Sequence, residues 1–425
     1  MASREGKIHI IGAGLAGLSA AVRLAGRGHD VALYEGAGQA GGRCRSFVDA
    51  RLGCLIDNGN HLLMSANRAA LAYLREIGAE DSLIGPARAS YPFYDLQTGK
   101  SWRLRPNRGP VPYWLLDSGR RVPGTRLTDY WPGVRFASAG PARTVTDLVP
   151  TSGPLFKSFW EPLTLAALNT RPERGSARLL RAVLRETFAR GEACCRPLIA
   201  REGLGESFVR PGLEFLGRRR APVVFGRRLR RLVMNGKRIV ALDFGSERVS
   251  VGDHDSVILA VRASQAGALV PGLSVPDEGE TIVNAHYRLP EPVEPPGGQP
   301  VLGLVNAQAH WIFMRGEVVS LTISAAGKLA DEAAEVLLPR LWGETARALA
   351  LEHLPEPPGR LIKEKRATFD QSPEGVARRP GARTALANLV LAGDWTDTGL
   401  PATIEGAIRS GHTAATLATR LSRGA

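Results

Sequence analysis

"KIHIIGAGLAGLSAAVRLAGRGHDVALYEG" (residues 7–36) is the stretch whose reading decides the fold. Lys7 to Ile11 is a short run rich in β-branched residues, and Gly12, Gly14 and Gly17 follow it in G-x-G-x-x-G spacing. Leu18 to Ala25 has the composition and spacing of a helix, Gly26 and Gly28 punctuate its end, and "DVALYE" reads as a second strand. Each glycine has a geometric reason. Gly12 allows a tight turn, Gly14 lets backbone approach a pyrophosphate, and Gly17 lets helix and strand pack closely. The helix N-terminus adds partial positive charge for phosphate, and Leu15 and Ala16 of the glycine turn are expected at the cofactor. Glu35 ends the second strand 18 residues past Gly17, where a carboxylate accepts from ribose hydroxyls and disfavours a 2′-phosphate. A dinucleotide other than NADP is the expected occupant. These residues leave NAD and FAD both open.

Working outward, 425 residues exceed one ordinary core and suggest about two or three domains. The chain is 44% hydrophobic and 23% charged, a soluble globular composition. No apolar run reaches the roughly 18 residues of a membrane span. The leader "MASREGKIHIIGAG" shows no signal-peptide core, so a cytoplasmic protein is expected. The net charge is +14, carried by 48 arginines against seven lysines, a skew that reads as codon bias. The arginine-dense stretch 201–231 has almost no interleaved aromatics, so nucleic acid is not an expected partner. For that stretch, attachment to acidic lipid stands beside a plain solvated basic face. Cys44, Cys54, Cys194 and Cys195 have no zinc-type spacing and are expected to be reduced packing residues; no metal site is expected.

A second signature closes the chain. "ANLVLAGDWTDTGLPATIEGAIRSG" (387–411) predicts a strand ending at Gly393–Asp394 and a helix from Pro401 or Ala402. Asp394 can accept from a ribityl or ribose hydroxyl, while Thr403 and Ile404 open a helix facing a flavin oxygen or a phosphate. Ala402, Gly406, Ala407 and Gly411 permit close backbone approach. Between the two signatures, "FGRRLRRLVMNGKRIVALDF" (225–244) predicts a hairpin turning at Asn235–Gly236. The stretch 254–261 reads as a strand rejoining the nucleotide-binding part.

"GAGQAGGRCRSF" (36–47) then places Gly41, Gly42 and Arg43 just after the second strand. It resembles the segment of amine oxidases and carotenoid desaturases that runs along FAD with its arginine near the phosphates. Over nearly its whole length the chain resembles the FAD-dependent amine oxidase and phytoene desaturase superfamily. Within it, "IDNGNHLLMS" (56–65), "FWEPLTLAALNT" (159–170), "HWIFMRG" (310–316) and "DWTDTGLPATIEGAIRSG" (394–411) are similar to the hydroxysqualene dehydroxylase family. The resemblance implies an α/β fold. Its Rossmann-like FAD-binding domain is built from discontinuous segments (1–74, 205–265 and 387–425). A mixed α+β substrate-binding domain (75–204 and 266–386) includes a membrane-facing helical part. It also implies Leu229 as a contact covering the adenine. FAD is expected to be non-covalent, since no cysteine lies beyond Cys195. Leu400, Pro401, Ala402 and Thr403 supply no ring for the aromatic cage of amine oxidases, which suits an isoprenoid better than an amine.

The resemblance also gives meaning to "LIDNGNHLLMS" (55–65), where five polar positions interrupt an apolar stretch. In relatives this stretch passes beside the isoalloxazine, so Asn58 and Gly59 are expected at the cofactor, and Asp57 and His61 as polar groups in an apolar cavity. The implied reaction is reductive dehydroxylation of hydroxysqualene, a C30 isoprenoid, to squalene in hopanoid biosynthesis. Hydride comes from reduced flavin after acid-assisted loss of an allylic hydroxyl. A carotenoid or isoprenoid desaturase running the flavin oxidatively is the alternative. His61 is the first candidate proton donor, protonated by pairing with Asp57, and Asp57 the second. Beside this stands the plainer reading that either residue pins the loop by hydrogen bonds. Asn169 is a candidate to orient the hydroxyl. Trp311 and Arg315 either line the site or are an ordinary core tryptophan and surface arginine. With no second dinucleotide fingerprint, the electrons come from an external, unidentified donor. Aromatics at 91–96, 111–116 and 130–131 suit peripheral docking on the inner face of the cytoplasmic membrane, with packing inside the substrate domain as the other reading.

Overall fold

The computed structural model describes residues 6–422; the first five residues of the charged leader and the last three of the C-terminal segment lie outside them. Five parallel strands form the first sheet, in the spatial order Val223–Val224, Val31–Tyr34, Ile8–Ile11, Ser256–Leu259, Leu389–Leu391. Numbered along the chain, that order is 3-2-1-4-5, the arrangement of dinucleotide-binding α/β sheets. Its switch point lies beside the first strand, and ligands bind at the carboxyl ends of the strands there. All four residues of Ile8–Ile11 are buried, as a central parallel strand covered on both faces requires.

The Leu15–Gly26 helix leaves this strand through the glycine turn. It begins three residues before the expected Leu18, because Gly14 is extended (φ −71°, ψ 175°) and serves as its N-cap. The Ile404–Ser422 helix packs against it. A Cβ on Gly411 would stand 2.2 Å from the Ala16 carbonyl oxygen, so only glycine lets the two backbones approach. This helix begins after the expected Pro401 or Ala402, because Thr403 Oγ1 accepts the Gly406 N–H at 3.0 Å and caps it. The expected hairpin forms as Arg231–Asn235 against Arg238–Asp243.

The second sheet has seven strands, in the order Gly359–Glu364, Ile282–Arg288, Val318–Ile323, Trp311–Arg315, Val301–Val305, Tyr91–Asp95, Ser101–Leu104. Strand alternation splits the Ile282–Arg288 side chains between two faces. Val283, Ala285 and Tyr287 join a core with Leu337, Leu338, Leu341 and Trp342 of the Ala334–Leu349 helix. Ile282, Asn284 and His286 take the opposite face, and Ile282 and Asn284 line a cavity there. One boundary differs from expectation. Pro197–Ala200 is held between the short strands Leu63–Met64 and Leu83–Ile84. Ile77, Ala79, Ala200 and Leu204 therefore pack in the core around the first sheet, although residues 75–204 were assigned to the substrate-binding part.

Candidate functional site

At the carboxyl ends of the first sheet lies a cavity of about 1040 Å³. Gly12, Gly14, Leu15 and Ala16 wall it on one side, followed by Glu35 and the Gly41–Gly42–Arg43 segment. Asn58, Gly59, His61, Leu229, Gly393, Asp394, Thr403 and Ile404 complete the set expected at a cofactor or substrate. Residues separated by almost 400 positions thus converge on one space.

Two glycines of the fingerprint differ in what surrounds them. A Cβ on Gly17 would meet the Gly12 carbonyl oxygen at 1.9 Å, whereas a Cβ on Gly14 would meet nothing within 4 Å. Gly17 therefore belongs to helix–strand packing and sits beneath the loop, while Gly14 keeps a space open. Gly41 donates its N–H to the Ala13 carbonyl at 2.8 Å, docking the second glycine segment on the first. Both Glu35 carboxylate oxygens accept backbone N–H groups, from Ala13 and Ala37 at 2.8 Å each. Arg43 forms an ion pair with Asp394 at 2.7 Å and donates to the Ala367 carbonyl. Burial opposes the Arg43 charge, but Asp394 outweighs it and holds the guanidinium pKa above its usual value. The N-terminal and C-terminal signatures are thereby tied across the cavity. Arg227, Arg228, Arg262 and Arg366 add cationic wall. Open glycine backbone, a helix N-terminus and guanidinium groups fit a diphosphate-containing cofactor.

The polar turn after the Cys54–Asp57 strand is arranged differently from the expected Asp57–His61 couple. Asp57 is buried and pairs with Arg315 at 2.8 Å. Its other oxygen accepts from Ser46 Oγ and from the Leu204 N–H at 2.8 Å. Asp57 does not line the cavity and has no free capacity to donate a proton, so its role is to pin the turn. Arg315 is correspondingly a buried partner and no surface arginine, and it also donates to the Glu202 carbonyl at 3.0 Å. Removing one partner of such a pair leaves an uncompensated buried charge, at a cost of about 3–5 kcal/mol. Asp57→Ala is expected to lose stability of that order, read as a lower guanidinium midpoint.

His61 is left free for a ligand: its imidazole makes no hydrogen bond to the protein among the described residues. Burial lowers its pKa to about 4, with Asp57 opposing and Arg43 reinforcing the shift. The expected protonation through Asp57 does not hold at neutral pH, because burial outweighs the field of that carboxylate. His286 and His310 are also lowered to about 4, by burial first. Folded pKa values below the free value of 6.5 mean that the unfolded chain binds more protons between pH 4 and 6.5. Stability must therefore fall as pH drops through that window, by about 1 kcal/mol for each such histidine at pH 5.5. Denaturant midpoints at pH 7.5 and 5.5 check this.

Asn169 is a second correction. It caps the Glu161–Leu168 helix in a left-handed conformation (φ 47°). Its amide donates to the Glu280 carbonyl at 2.7 Å and to Thr368 Oγ1 at 3.3 Å, and accepts from the Ala325 N–H at 2.7 Å. It is buried, stands outside the cavity lining and has its amide nitrogen engaged within the protein, so the structure places it as the end of a helix and not beside the expected substrate hydroxyl. Trp311 is a core residue against Phe93, ring centroids 5.6 Å apart.

Two polar residues at the cavity, Asn284 and Glu364, went unrecognised in the sequence. Asn284 Oδ1 accepts from Thr322 Oγ1 at 2.8 Å and from the Asn60 N–H at 3.4 Å, while Asn60 Nδ2 reaches Thr322 Oγ1 at 3.1 Å. Glu364 accepts from Asn58 Nδ2 at 3.2 Å. These contacts hold the 57–61 turn against the second sheet. A single amide in the stretch "TIVNAHYRL" (281–289) was the only available signal for Asn284.

This sheet order and this cavity define a dinucleotide-binding α/β protein. The "Flavin containing amine oxidoreductase" family model matches residues 15–419. The chain is 45% identical to the hydroxysqualene dehydroxylase of Sinorhizobium fredii over 97% of its own length and 98% of the relative's. A zeta-carotene desaturase of Solanum lycopersicum matches at 44% identity, over only 18% of this chain and 13% of its own. Among solved structures, the cyclohexylamine oxidase of Brevibacterium oxydans superposes with a TM-score of 0.70 at 14% identity, covering 98% and 99% of the two chains. The chain belongs to the flavin-containing amine oxidoreductases and, within them, to the hydroxysqualene dehydroxylases. No helix among the described residues is long and apolar enough to cross a membrane.

Proposed function

We propose that this protein is an FAD-dependent reductase that converts hydroxysqualene to squalene. The observation that carries the reading is full-length kinship with hydroxysqualene dehydroxylases, joined to a glycine-walled cavity that ends at a hydrogen-bond-free histidine. The carotenoid desaturase alternative loses ground because its match is confined to a fifth of the chain.

In this reading Glu35 takes the adenosine ribose, the Gly12–Gly17 turn and Gly41–Arg43 take the diphosphate, and Leu229 covers the adenine. Asp394 with Thr403 and Ile404 serves the ribityl chain and the flavin edge, and Asn58–Gly59 lies along the ring. Cys44 is at the cavity wall. Burial, reinforced by Asp57, raises its thiol pKa well above the usual value, which makes it a poor nucleophile and favours a non-covalent cofactor. Bound in its reduced state, FAD supplies the hydride equivalent that the reaction needs.

The chain's own part is to bind, orient and deliver a proton. Replacing C–O by C–H with release of water consumes one hydride and one proton, two electrons and two protons in all, so an external reductant must recharge the site. Hydroxide is a poor leaving group, and acid assistance is typically worth about 10²–10⁴-fold. His61 is the proton donor in this reading. Asp57–Arg315 and the Asn60–Asn284–Thr322 contacts position the turn that carries it. A C30 alcohol is poorly soluble in water, so the reading includes a peripheral encounter with the membrane that stores it. The test is anaerobic incubation of photoreduced enzyme with hydroxysqualene, following flavin reoxidation by absorbance and squalene by mass spectrometry. Stoichiometric squalene is expected. No squalene in that incubation, together with reduction of the oxidised enzyme by a saturated isoprenoid in a parallel one, would transfer the assignment to a desaturase.

A further inference from the structure

We propose that the surface formed by residues 111–134 is a docking face for a bilayer rich in anionic phospholipid. The proposal rests on the reading of an isoprenoid substrate for the choice of occupant, and its test reads binding separately from turnover. Two short 3₁₀ segments build the face, Tyr113–Leu116 and Leu127–Ser138. In this geometry positions i and i+3 eclipse, so Tyr113 stacks with Leu116 and Trp131 with Val134. Trp114 and Tyr130, next to Tyr113 and Trp131 in the chain, turn toward each other: their rings meet edge-on at 6.1 Å, and the Tyr130 hydroxyl accepts the Val122 N–H at 3.0 Å. That pair joins the two segments. Trp131 is 76% exposed, Leu116 71% and Tyr113 52%. Val111, Leu127 and Val134 extend the same apolar surface. Water-exposed tryptophan and tyrosine beside aliphatic side chains are the anchors of interfacial proteins.

The charge around this patch selects the occupant. Between residues 105 and 135 stand six arginines and two aspartates. None of the six forms an ion pair among the described residues. Asp129 accepts the Arg126 N–H at 2.7 Å and Asp117 the Gly119 N–H at 2.9 Å, so both carboxylates serve local turns. Arg105, Arg108, Arg126 and Arg135 are exposed. In the 201–231 stretch Arg210, Arg227 and Arg231 are paired with Glu206, Glu247 and Asp243, and its other six arginines, though exposed, stand with only Val224 and Phe225 as exposed large apolar residues and with no exposed tryptophan or tyrosine to anchor them. A second copy of the chain docking face to face would set arginine against arginine, whereas an anionic lipid surface complements the patch. With no membrane-crossing helix among the described residues, the contact is peripheral.

The experiment is co-sedimentation of the full-length holoprotein with sucrose-loaded vesicles. One set contains phosphatidylglycerol and phosphatidylcholine at 1:3, and the other phosphatidylcholine alone. Binding is expected only to the first, weakening several-fold on raising the salt. Trp131→Ser with Leu116→Ser is expected to cut it at least tenfold, and Arg126→Gln with Arg135→Gln by about fivefold per charge. Val336→Ser, at an exposed apolar residue elsewhere, should change nothing, and flavin absorbance checks that each variant folds. Turnover of detergent-solubilised hydroxysqualene should survive in the patch variants, and its absence in the unsubstituted enzyme would count against the reaction alone. Absent or charge-independent vesicle binding overturns the docking face. So does unchanged binding by the Trp131/Leu116 variant, or a dimer in light scattering that this variant converts to monomer.

Discussion

Gly14→Val folds and purifies colourless, while Gly17→Val fails to fold: this is the expected result of exchanging two glycines of one motif. A valine at 17 would drive its Cβ to within 1.9 Å of the Gly12 carbonyl oxygen, a backbone atom that cannot swing aside. The helix would have to leave the central strand, and with it the packing on which the Ile8–Ile11 and Ile404–Ser422 elements depend. At 14 the backbone is extended, which any residue tolerates, and a Cβ meets no protein atom within 4 Å. The added methyls instead occupy the space in which a diphosphate would lie against the helix N-terminus. Affinity for FAD should fall by at least about a thousandfold, or roughly 4 kcal/mol. Flavin absorbance of the purified variants, circular dichroism and isothermal titration of apoprotein with FAD check it. A yellow Gly14→Val protein would mean that the diphosphate lies elsewhere.

That contrast also shows what was legible in the sequence. The glycine spacing, the apolar strands beside it and Glu35 are local signals, and local geometry then determines the turn, the helix and the sheet position. The C-terminal signature was legible for the same reason. Charged side chains behaved otherwise, because their partners come from distant elements. Asp57 and His61 are four positions apart, and proximity suggested that they pair. Arg315, 258 positions further on, arrives on a strand of the other sheet and takes the carboxylate. Asn169 stood in a recognisable motif, yet that motif proved to be a helix end whose amide stitches residues 280, 325 and 368 together. Asn284 was invisible for the converse reason: one amide in a β-branched strand carries no periodic signal until the sheet turns that face toward the cavity. Of the aromatic stretches, Tyr91, Phe93 and Trp114 pack inward, while Tyr113 and Trp131 reach solvent. Composition could not separate them.

His61→Gln is expected to retain flavin and fold while losing about 10²–10⁴ in turnover, and the pH profile says how. An imidazole whose pKa is lowered to about 4 is about one part in a thousand cationic at pH 7. That minor form is a stronger acid than an ordinary imidazolium. If it delivers the proton to the departing hydroxyl, turnover under chemistry-limited conditions rises nearly tenfold for each unit of pH lost between 8 and 6. The limb should vanish in His61→Gln, whose amide can donate a hydrogen bond but no proton. No inflection is expected near 6.5, since burial outweighs the field of Asp57 at this imidazole. Single-turnover oxidation of reduced flavin by hydroxysqualene measures the step apart from recharging by the external donor, and work above pH 5.5 avoids the acid instability of the buried histidines. A profile flat from 6 to 8 with His61→Gln still impaired would recast His61 as a neutral hydrogen-bond donor. Full turnover in His61→Gln would remove it from the chemistry, and the proton would then have to reach the hydroxyl from water or from the cofactor.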